Sequence, residues 1–290
     1  MTHREEDLKP GLTFTMPFSN VLHLPFPDKV RATRLAGFHE LAIQPQEVAR
    51  IAASGLSIQN MRLIADDNGI KISRLDPLCT WNPNWYPNNM DDSFIADHST
   101  TTLEFFEIAS ELGCTHMSLN ATFTANTYVL DELVSHYAEI CRLAHEEGIV
   151  CDLEPIPMWG VTSLEQGWEI VERAGAPNGG LVLDTLHFVR SESKLETLAT
   201  IPGSSIHCVQ ICDGIHPLKS GVTLEADCFE RMWPGAGNFP LADIVSGLHK
   251  IGGLNGVGPE VFSVLNQNMT AEDVARLCKQ SLLAYPELRA

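Results

Sequence analysis

Residues 130–155 read LDELVSHYAEICRLAHEEGIVCDLEP and contain the unit from which the fold is predicted. Apolar residues recur here at helical spacing, at positions Leu130, Leu133, Tyr137, Ile140 and Ala144. Gly148 is a typical helix stop, and the apolar residues 149–153 after it predict a buried strand. The stretch therefore predicts a helix over residues 130–147 followed by a short strand, the repeating unit of α/β proteins.

The same alternation of strand and helix recurs along the chain. Strands are predicted at residues 12–16, 40–44, 70–75, 115–119, 149–153, 181–183, 206–212 and 257–262. One long helix is predicted over residues 93–112. Strands in such units pair in parallel, and eight units favour closure into a barrel over an open sheet. We therefore predict a single (β/α)₈ TIM barrel, with residues 1–290 forming one domain.

The amino-acid composition limits which kinds of molecule the protein is expected to bind. The chain has 19 Lys and Arg against 37 Asp and Glu, and the net charge of −18 argues against a nucleic-acid surface. No apolar stretch approaches the ~20 residues of a membrane span, and residues 1–9 are too charged for a signal peptide. The eight cysteines lack a Cys-x-x-Cys pair and are expected to be reduced. We expect a cytoplasmic protein with a small-molecule partner, and leave homo-oligomerisation open.

Four acidic or amide residues stand near the ends of successive predicted strands: Glu154, Asp184, Gln210 and Glu260. A carboxylate at the end of a buried strand is costly unless it is compensated, either by Lys or Arg or by a cation. In a barrel these strand ends converge around one axis. Four oxygen donors favour Mn²⁺ or Mg²⁺, with Co²⁺ as an alternative and Zn²⁺ favoured if a histidine joins.

Other polar residues stand where barrel enzymes bind substrate. His23 follows the first strand and Asn120 ends the fourth, and each has either a substrate-binding or a structural role. His207 precedes Gln210 by three positions. Its opposite strand parity predicts a side chain that faces the helices and not the barrel interior.

Four short motifs then connect the chain to a known family: Leu153-Glu154-Pro, Asp184-x-x-His187, Gln210-Ile-Cys-Asp213 and Arg231-Met-Trp-Pro-Gly-Ala-Gly237. With them the chain resembles the sugar phosphate isomerase/epimerase family of xylose isomerase-like TIM barrels, which includes ketose 3-epimerases. The resemblance implies metal binding at Glu154, Asp184 and Glu260. It implies proton exchange by Glu154 and Glu260, and substrate contact by His187 and Arg231.

The chain departs from the family pattern at three positions. One is Ala236, where many members of the family have a charged residue. Gln210 stands where the family usually has a metal-binding histidine, and we expect its amide oxygen to replace that ligand. Gly160 stands where ketose epimerases have an acid that grips the terminal hydroxyl of the sugar. Trp159 is beside it, and we expect this aromatic residue to contact the substrate. The pair favours a substrate other than a free ketohexose.

The sequence thus predicts a divalent-metal-dependent isomerase or epimerase. The predicted reaction is proton transfer through an enediolate on a small, sugar-like hydroxy-carbonyl compound. It needs a base and an acid on two sides of the substrate, the roles that the resemblance implies for Glu154 and Glu260. The alternative is a metal-dependent dehydratase, lyase or hydrolase that acts on a small non-sugar or acidic substrate with the same fold. The third interpretation is a barrel that binds a ligand without catalysing a reaction.

Overall fold

The computed structural model describes residues 7–290, and eight parallel strands form its sheet in chain order. They are β1 (Thr15–Met16), β2 (Glu40–Ile43), β3 (Lys71–Leu78), β4 (His116–Asn120), β5 (Val150–Glu154), β6 (Gly179–Asp184), β7 (Ile206–Ile211) and β8 (Val257–Pro259). A parallel bridge between Phe14 and Val257 joins the first and last strands. The predicted (β/α)₈ barrel is therefore confirmed. The division into one domain stays a prediction, and residues 1–6 of the charged N-terminal segment lie outside the described residues.

Helices surround the sheet: α1 (Phe26–Leu35), α2 (Pro45–Ala53), α3 (Ile58–Asp67), α4 (Asp92–Asp97), α5 (Thr102–Leu112), α6 (Leu130–Glu146), α7 (Leu164–Ala174), α8 (Thr185–Arg190), α9 (Leu195–Leu198), α10 (Leu224–Cys228), α11 (Leu241–Ile251) and α12 (Ala271–Leu283). On α6 the residues Leu133, Tyr137, Ile140 and Ala144 are buried, as the spacing predicted. In the described part of the chain no helix is long and apolar enough to cross a bilayer.

The long helix predicted over residues 93–112 is wrong. The chain forms two helices there, α4 and α5, and α4 ends at the C-cap His98. Thr101 begins α5 with a capping box: its backbone N–H donates to Glu104 Oε2 at 2.9 Å, and its hydroxyl accepts from the Glu104 N–H. This cap satisfies backbone groups that a continuous helix would satisfy along its own axis, so the break is stable. The break leaves α4 free to lie over the barrel mouth.

The base of the barrel is a polar network and not an aliphatic core. Arg74 Nη2 donates to Asp152 Oδ2 at 2.7 Å, and Asp152 Oδ1 lies 2.6 Å from His207 Nδ1. These residues come from β3, β5 and β7, which are not neighbours, so they meet inside the barrel. Gly180 of β6 leaves the space, since a Cβ there would overlap the His207 ring.

The prediction that His207 faces the helices is therefore wrong. Leu181 pairs with Ile206, but Val182 pairs with Cys208, so one extra residue is inserted in β7. Such a bulge reverses the alternation of side chains at that point. The cysteine prediction is confirmed, since all eight are free and buried.

Candidate metal centre and active site

The ends of the last four strands bring together the four residues singled out in the sequence. Glu154 ends β5, Asp184 ends β6, Gln210 is near the end of β7, and Glu260 directly follows β8. Each is at most 5% exposed. A cavity of about 110 Å³ opens beside them, and Glu154, Gln210 and Glu260 line it.

His187 joins the acidic side chains because of a helix that the sequence analysis did not predict. Asp184 caps α8: its Oδ1 accepts from the Leu186 N–H at 2.7 Å and the His187 N–H at 3.3 Å. One donor atom each from Glu154, Asp184 and His187 lie within 4.8 Å of one another. The signal was present in the sequence, since Asp is a preferred N-cap residue and the Asp-Thr-Leu-His spacing sets His187 one turn away.

His187 is a neutral ring with an uncommitted nitrogen. Burial lowers its pKa to about 4, against the raising effect of the Asp184 carboxylate. Its Nδ1 is buried with no hydrogen-bond partner, and its Nε2 lies 3.6 Å from Glu154 Oε1. A neutral imidazole with a free lone pair is the form that binds a metal.

Arg231 lines the cavity, but its guanidinium is hydrogen-bonded to other groups of the protein. Nη1 donates to Asp184 Oδ2 at 2.6 Å and to Glu260 Oε2 at 2.8 Å, while Nε donates to the Cys228 carbonyl at 2.8 Å. Burial raises the pKa of Asp184, but the Arg231 charge and other contacts outweigh it and leave the pKa below its usual value. Pairing with Arg, the alternative that the sequence left open, therefore compensates Asp184. For Glu260 burial outweighs the Arg231 charge, and its pKa stays well above the usual value.

Glu154 forms no ion pair with Arg231, whose charge lowers the pKa of Glu154 only from a distance. Burial raises its pKa well above the usual value, and repulsion from Glu260 and Asp184 raises it further. With the Asn120 amide nitrogen turned toward it, Asn120 donates to Glu154 Oε2 at 3.1 Å, but an amide carries no charge. Glu154 and Glu260, whose pKa values both lie above the usual value, are therefore the strand-end carboxylates that a bound cation would stabilise in the charged form.

Gln210 presents its amide oxygen without a partner. Its Nε2 donates to Glu260 Oε1 at 2.9 Å, which leaves Oε1 buried and unbonded. A buried carbonyl oxygen that lacks a donor is costly, and it is an acceptable ligand for a divalent cation. The free Gln210 Oε1, the neutral His187 ring and the Glu154 carboxyl group together fit such an ion.

The remaining predicted site residues separate into two groups. Asn120 and Trp159 line the cavity, and Trp159 Nε1 donates to Asn89 Oδ1 at 3.3 Å. His23 is not brought to this cavity: its Nε2 lies 2.8 Å from the Met269 carbonyl, and it faces a separate groove beside α1 and α2. The reason is local, since the contact with the Met269 carbonyl holds the His23 ring in that groove.

Two lining residues, Phe94 and His98, were missed by the sequence analysis. They lie on and just after α4, and the prediction of one helix over residues 93–112 assigned them to the outer layer. Gly160 also has a structural cause. A Cβ at that position would overlap the ring of Phe123, which is 1% exposed, so this ring fills the space that a side chain at 160 would occupy.

A closed barrel with buried acidic side chains at the carboxyl ends of its strands is the plan of TIM-barrel enzymes. Residues 30–280 match the model of the xylose isomerase-like TIM barrel family. The chain belongs to that family and is an enzyme of it, with the reaction type left open.

Known proteins of this kind are similar over much of the chain. Inosose isomerase of Bacillus subtilis is 29% identical over 203 residues, 67% of this chain and 70% of that protein. The 3-dehydroshikimate dehydratase of Pseudomonas aeruginosa is 26% identical over 251 residues, 82% of this chain but 36% of that longer protein. The crystal structure of IOLI protein with a bound zinc atom aligns with a TM-score of 0.79 at 23% identity, over 94% of this chain and 97% of that one.

Proposed function

We propose that this enzyme isomerises or epimerises an uncharged hydroxy-ketone by moving a proton at the carbon next to the carbonyl. The observation that carries the proposal is the pair Glu154 and Glu260. Both are buried, both line one cavity, and they come from strands three apart in the sheet, so they reach a ligand from two sides. Arg231 Nη1 donates a hydrogen bond to Glu260, whereas its charge acts on Glu154 without a hydrogen bond, so the two carboxyls differ in environment. One group as base and one as acid is what such a transfer needs.

A divalent cation would be held by Glu154, Asp184 and His187, with Gln210 Oε1 and Glu260 as further ligands. The support is the grouping of the three donor atoms and the unpartnered Gln210 Oε1 described above. When bound, the ion polarises the substrate carbonyl and neighbouring hydroxyl. Because a histidine nitrogen joins the oxygen donors, we propose Zn²⁺ beside the Mn²⁺ and Mg²⁺ that the oxygen set alone favoured.

The charges around the cavity favour a neutral substrate. Asp76, Glu154 and Glu260 line it, against the single guanidinium of Arg231, whose bonds go to the protein. None of the described residues that line the cavity offers a phosphate or carboxylate on the substrate a free guanidinium or ammonium group. Inosose, the compound named in the isomerase relatives, is an uncharged cyclic hydroxy-ketone and meets this requirement.

Elimination of water is the second candidate. The similarity to 3-dehydroshikimate dehydratase favours it, and the same two carboxyls would remove a proton and protonate the departing hydroxyl. The hydrogen-bonded guanidinium of Arg231 weighs against an acidic substrate.

We also propose a single domain over residues 1–290, and a cytoplasmic location on the basis of eight reduced, buried cysteines.

The test uses inosose in ²H₂O with chelator-treated enzyme that is then reloaded with Zn²⁺, Mn²⁺ or Mg²⁺. Nuclear magnetic resonance measures exchange of the proton next to the carbonyl, and mass spectrometry measures the product. We expect metal-dependent exchange without change of covalent mass other than deuterium uptake, whereas dehydration loses one water. Glu154→Gln and Glu260→Gln should each lower the rate by about 10²–10⁴-fold.

Glu146→Gln is the matched control, since its carboxylate is exposed on the outer helix α6. It should leave the rate unchanged. Undiminished turnover by the metal-free enzyme, or by the Glu260→Gln variant, would contradict the proposed function.

A further inference from the structure

Three rings form one wall of the cavity, and we call Phe94, His98 and Trp159 the roof. Phe94 and His98 stack with ring centroids 3.9 Å apart and planes 18° apart, and Phe94 lies 5.7 Å from Trp159. The strand-end carboxylates form another wall of the same cavity. A ligand that reaches Glu154 and Glu260 therefore presents a more remote part to the roof.

His98 has a defined tautomer. Its Nδ1 lies 2.8 Å from the Phe94 carbonyl oxygen, and because a carbonyl only accepts, Nδ1 carries the proton. Burial lowers the ring's pKa, against the raising effect of that hydrogen bond, so the ring is neutral. Its Nε2 is then a lone-pair acceptor, and within residues 7–290 it has no hydrogen-bond partner.

The other polar groups of the roof are committed and hold it in place. Trp159 Nε1 donates to Asn89, and the Asn89 amide nitrogen donates to the Met158 carbonyl at 3.2 Å and to Glu225 Oε1 at 2.6 Å. These residues lie on the connections after β3, β5 and β7. The Asn89 amide bonds these three connections to one another. The roof that carries His98 is therefore held in a fixed position.

The connection after β5 supplies no acid to this part of the cavity. Gly160 carries no side chain, and the Phe123 ring occupies the space that a side chain there would take. Phe123 is in turn held edge-to-face by Trp81 and Tyr128, with centroids 6.1 and 5.0 Å away. Ile156 and Trp159, which line the cavity from this connection, offer no side-chain acceptor, whereas His98 on the roof does.

We propose that His98 Nε2 accepts a hydrogen bond from a substrate hydroxyl remote from the reacting carbons, and that His98 is thereby a specificity-determining residue. The inference rests on the proposed function. Substrates with a hydroxyl at that place are selected, and those with a carbonyl or carboxylate there are rejected, since the neutral acceptor has no proton to offer them.

The experiment compares inosose with its deoxy analogue that lacks the hydroxyl across the ring from the carbonyl. For the metal-loaded enzyme, kcat/KM and the calorimetric Kd are measured with both compounds. His98 is half-buried, so loss of one hydrogen bond to its Nε2 should make the deoxy analogue about 2–10-fold worse for the wild type. His98→Phe keeps the stacked ring but removes the acceptor, and should bring the ratio close to one.

His98→Gln restores an acceptor oxygen and should recover part of the ratio, which also covers the case in which His98→Phe does not fold. His145→Gln, exposed on α6, is the control and should keep the full ratio. If wild type and His98→Phe show the same preference, the role of His98 is refuted while the proposed function stands. If the wild type binds both compounds with a His98-dependent preference but turns over neither, the proposed function fails and the role of His98 stands. If the wild type neither binds nor converts inosose, both fail.

Discussion

Replacement of Arg231 by Met tests whether one guanidinium compensates the buried acids at the strand ends. The methionine keeps much of the volume but removes the charge that lies 2.6 Å from Asp184 and 2.8 Å from Glu260. The Arg231 side chain is 2% exposed, so water cannot take its place. Two carboxylates then keep their hydrogen bonds to Leu186, His187 and Gln210 but lose their counter-charge in a medium of low polarity.

The expected loss is large. Removing one member of a buried ion pair costs about 3–5 kcal/mol, because the remaining charge stays buried. At about 2–4 °C per kcal/mol for chains of this order, the melting temperature should fall by about 6–20 °C. The pKa of Asp184 is held below its usual value in the wild type. Such a group stabilises the fold above its unfolded pKa of about 3.9, so the deficit should shrink as the pH falls below it.

The assay is thermal unfolding followed by circular dichroism, in chelator and then with added Zn²⁺ or Mn²⁺. A bound dication takes over the compensation of the same carboxylates, so metal should raise the melting temperature of the variant more than that of the wild type. The control is Arg142→Met, whose guanidinium lies exposed between Glu139 and Glu146 and should matter little. A variant that melts with the wild type in chelator near neutral pH would refute the reasoning.

Three further outcomes are expected. Gly160→Ala should lower the free energy of unfolding by about 1–3 kcal/mol, because the new Cβ overlaps Phe123. Gly247→Ala lies in the interior of α11 with ordinary contacts and should raise the free energy of unfolding by about 0.5–1 kcal/mol. Equal urea midpoints for the two variants would count against the packing argument. Burial lowers the pKa of His207 but the Asp152 carboxylate raises it more, so its stabilisation is full below about 6.5 and is lost as the pH rises through the folded pKa. His207→Gln should therefore cost more stability in mildly acidic than in mildly alkaline buffer, and a pH-independent cost would exclude this charge effect. Since all eight cysteines are buried, a thiol reagent should label none rapidly in the native protein and eight after denaturation; rapid native labelling would show an accessible thiol.

The secondary structure was predicted well where local spacing decides it. The apolar periodicity of residues 130–144 placed α6, and the eight short apolar runs placed all eight strands. The prediction failed between residues 93 and 112, where continuous apolar spacing suggested one helix. A capping box from Thr101 to Glu104 breaks it, and this places Phe94 and His98 at the cavity.

The candidate site shows the same division. The order of Glu154, Asp184, Gln210 and Glu260 along the chain was enough to expect their convergence, because parallel strands in a barrel end at one face. Strand parity misplaced His207, since a bulge of one residue is set by pairing with β6 and leaves no mark in the strand's own sequence.

The sequence by itself determined the eight-fold alternation and the residues at the strand ends, because both follow from patterns a few residues long. Only the tertiary structure decided what those residues touch. Arg231 reaches back 47 positions to Asp184, and Phe123 fills the space beside Gly160. Charge compensation and packing act through space and fall off within a few ångströms, so they depend on distances that the linear order of the chain does not contain.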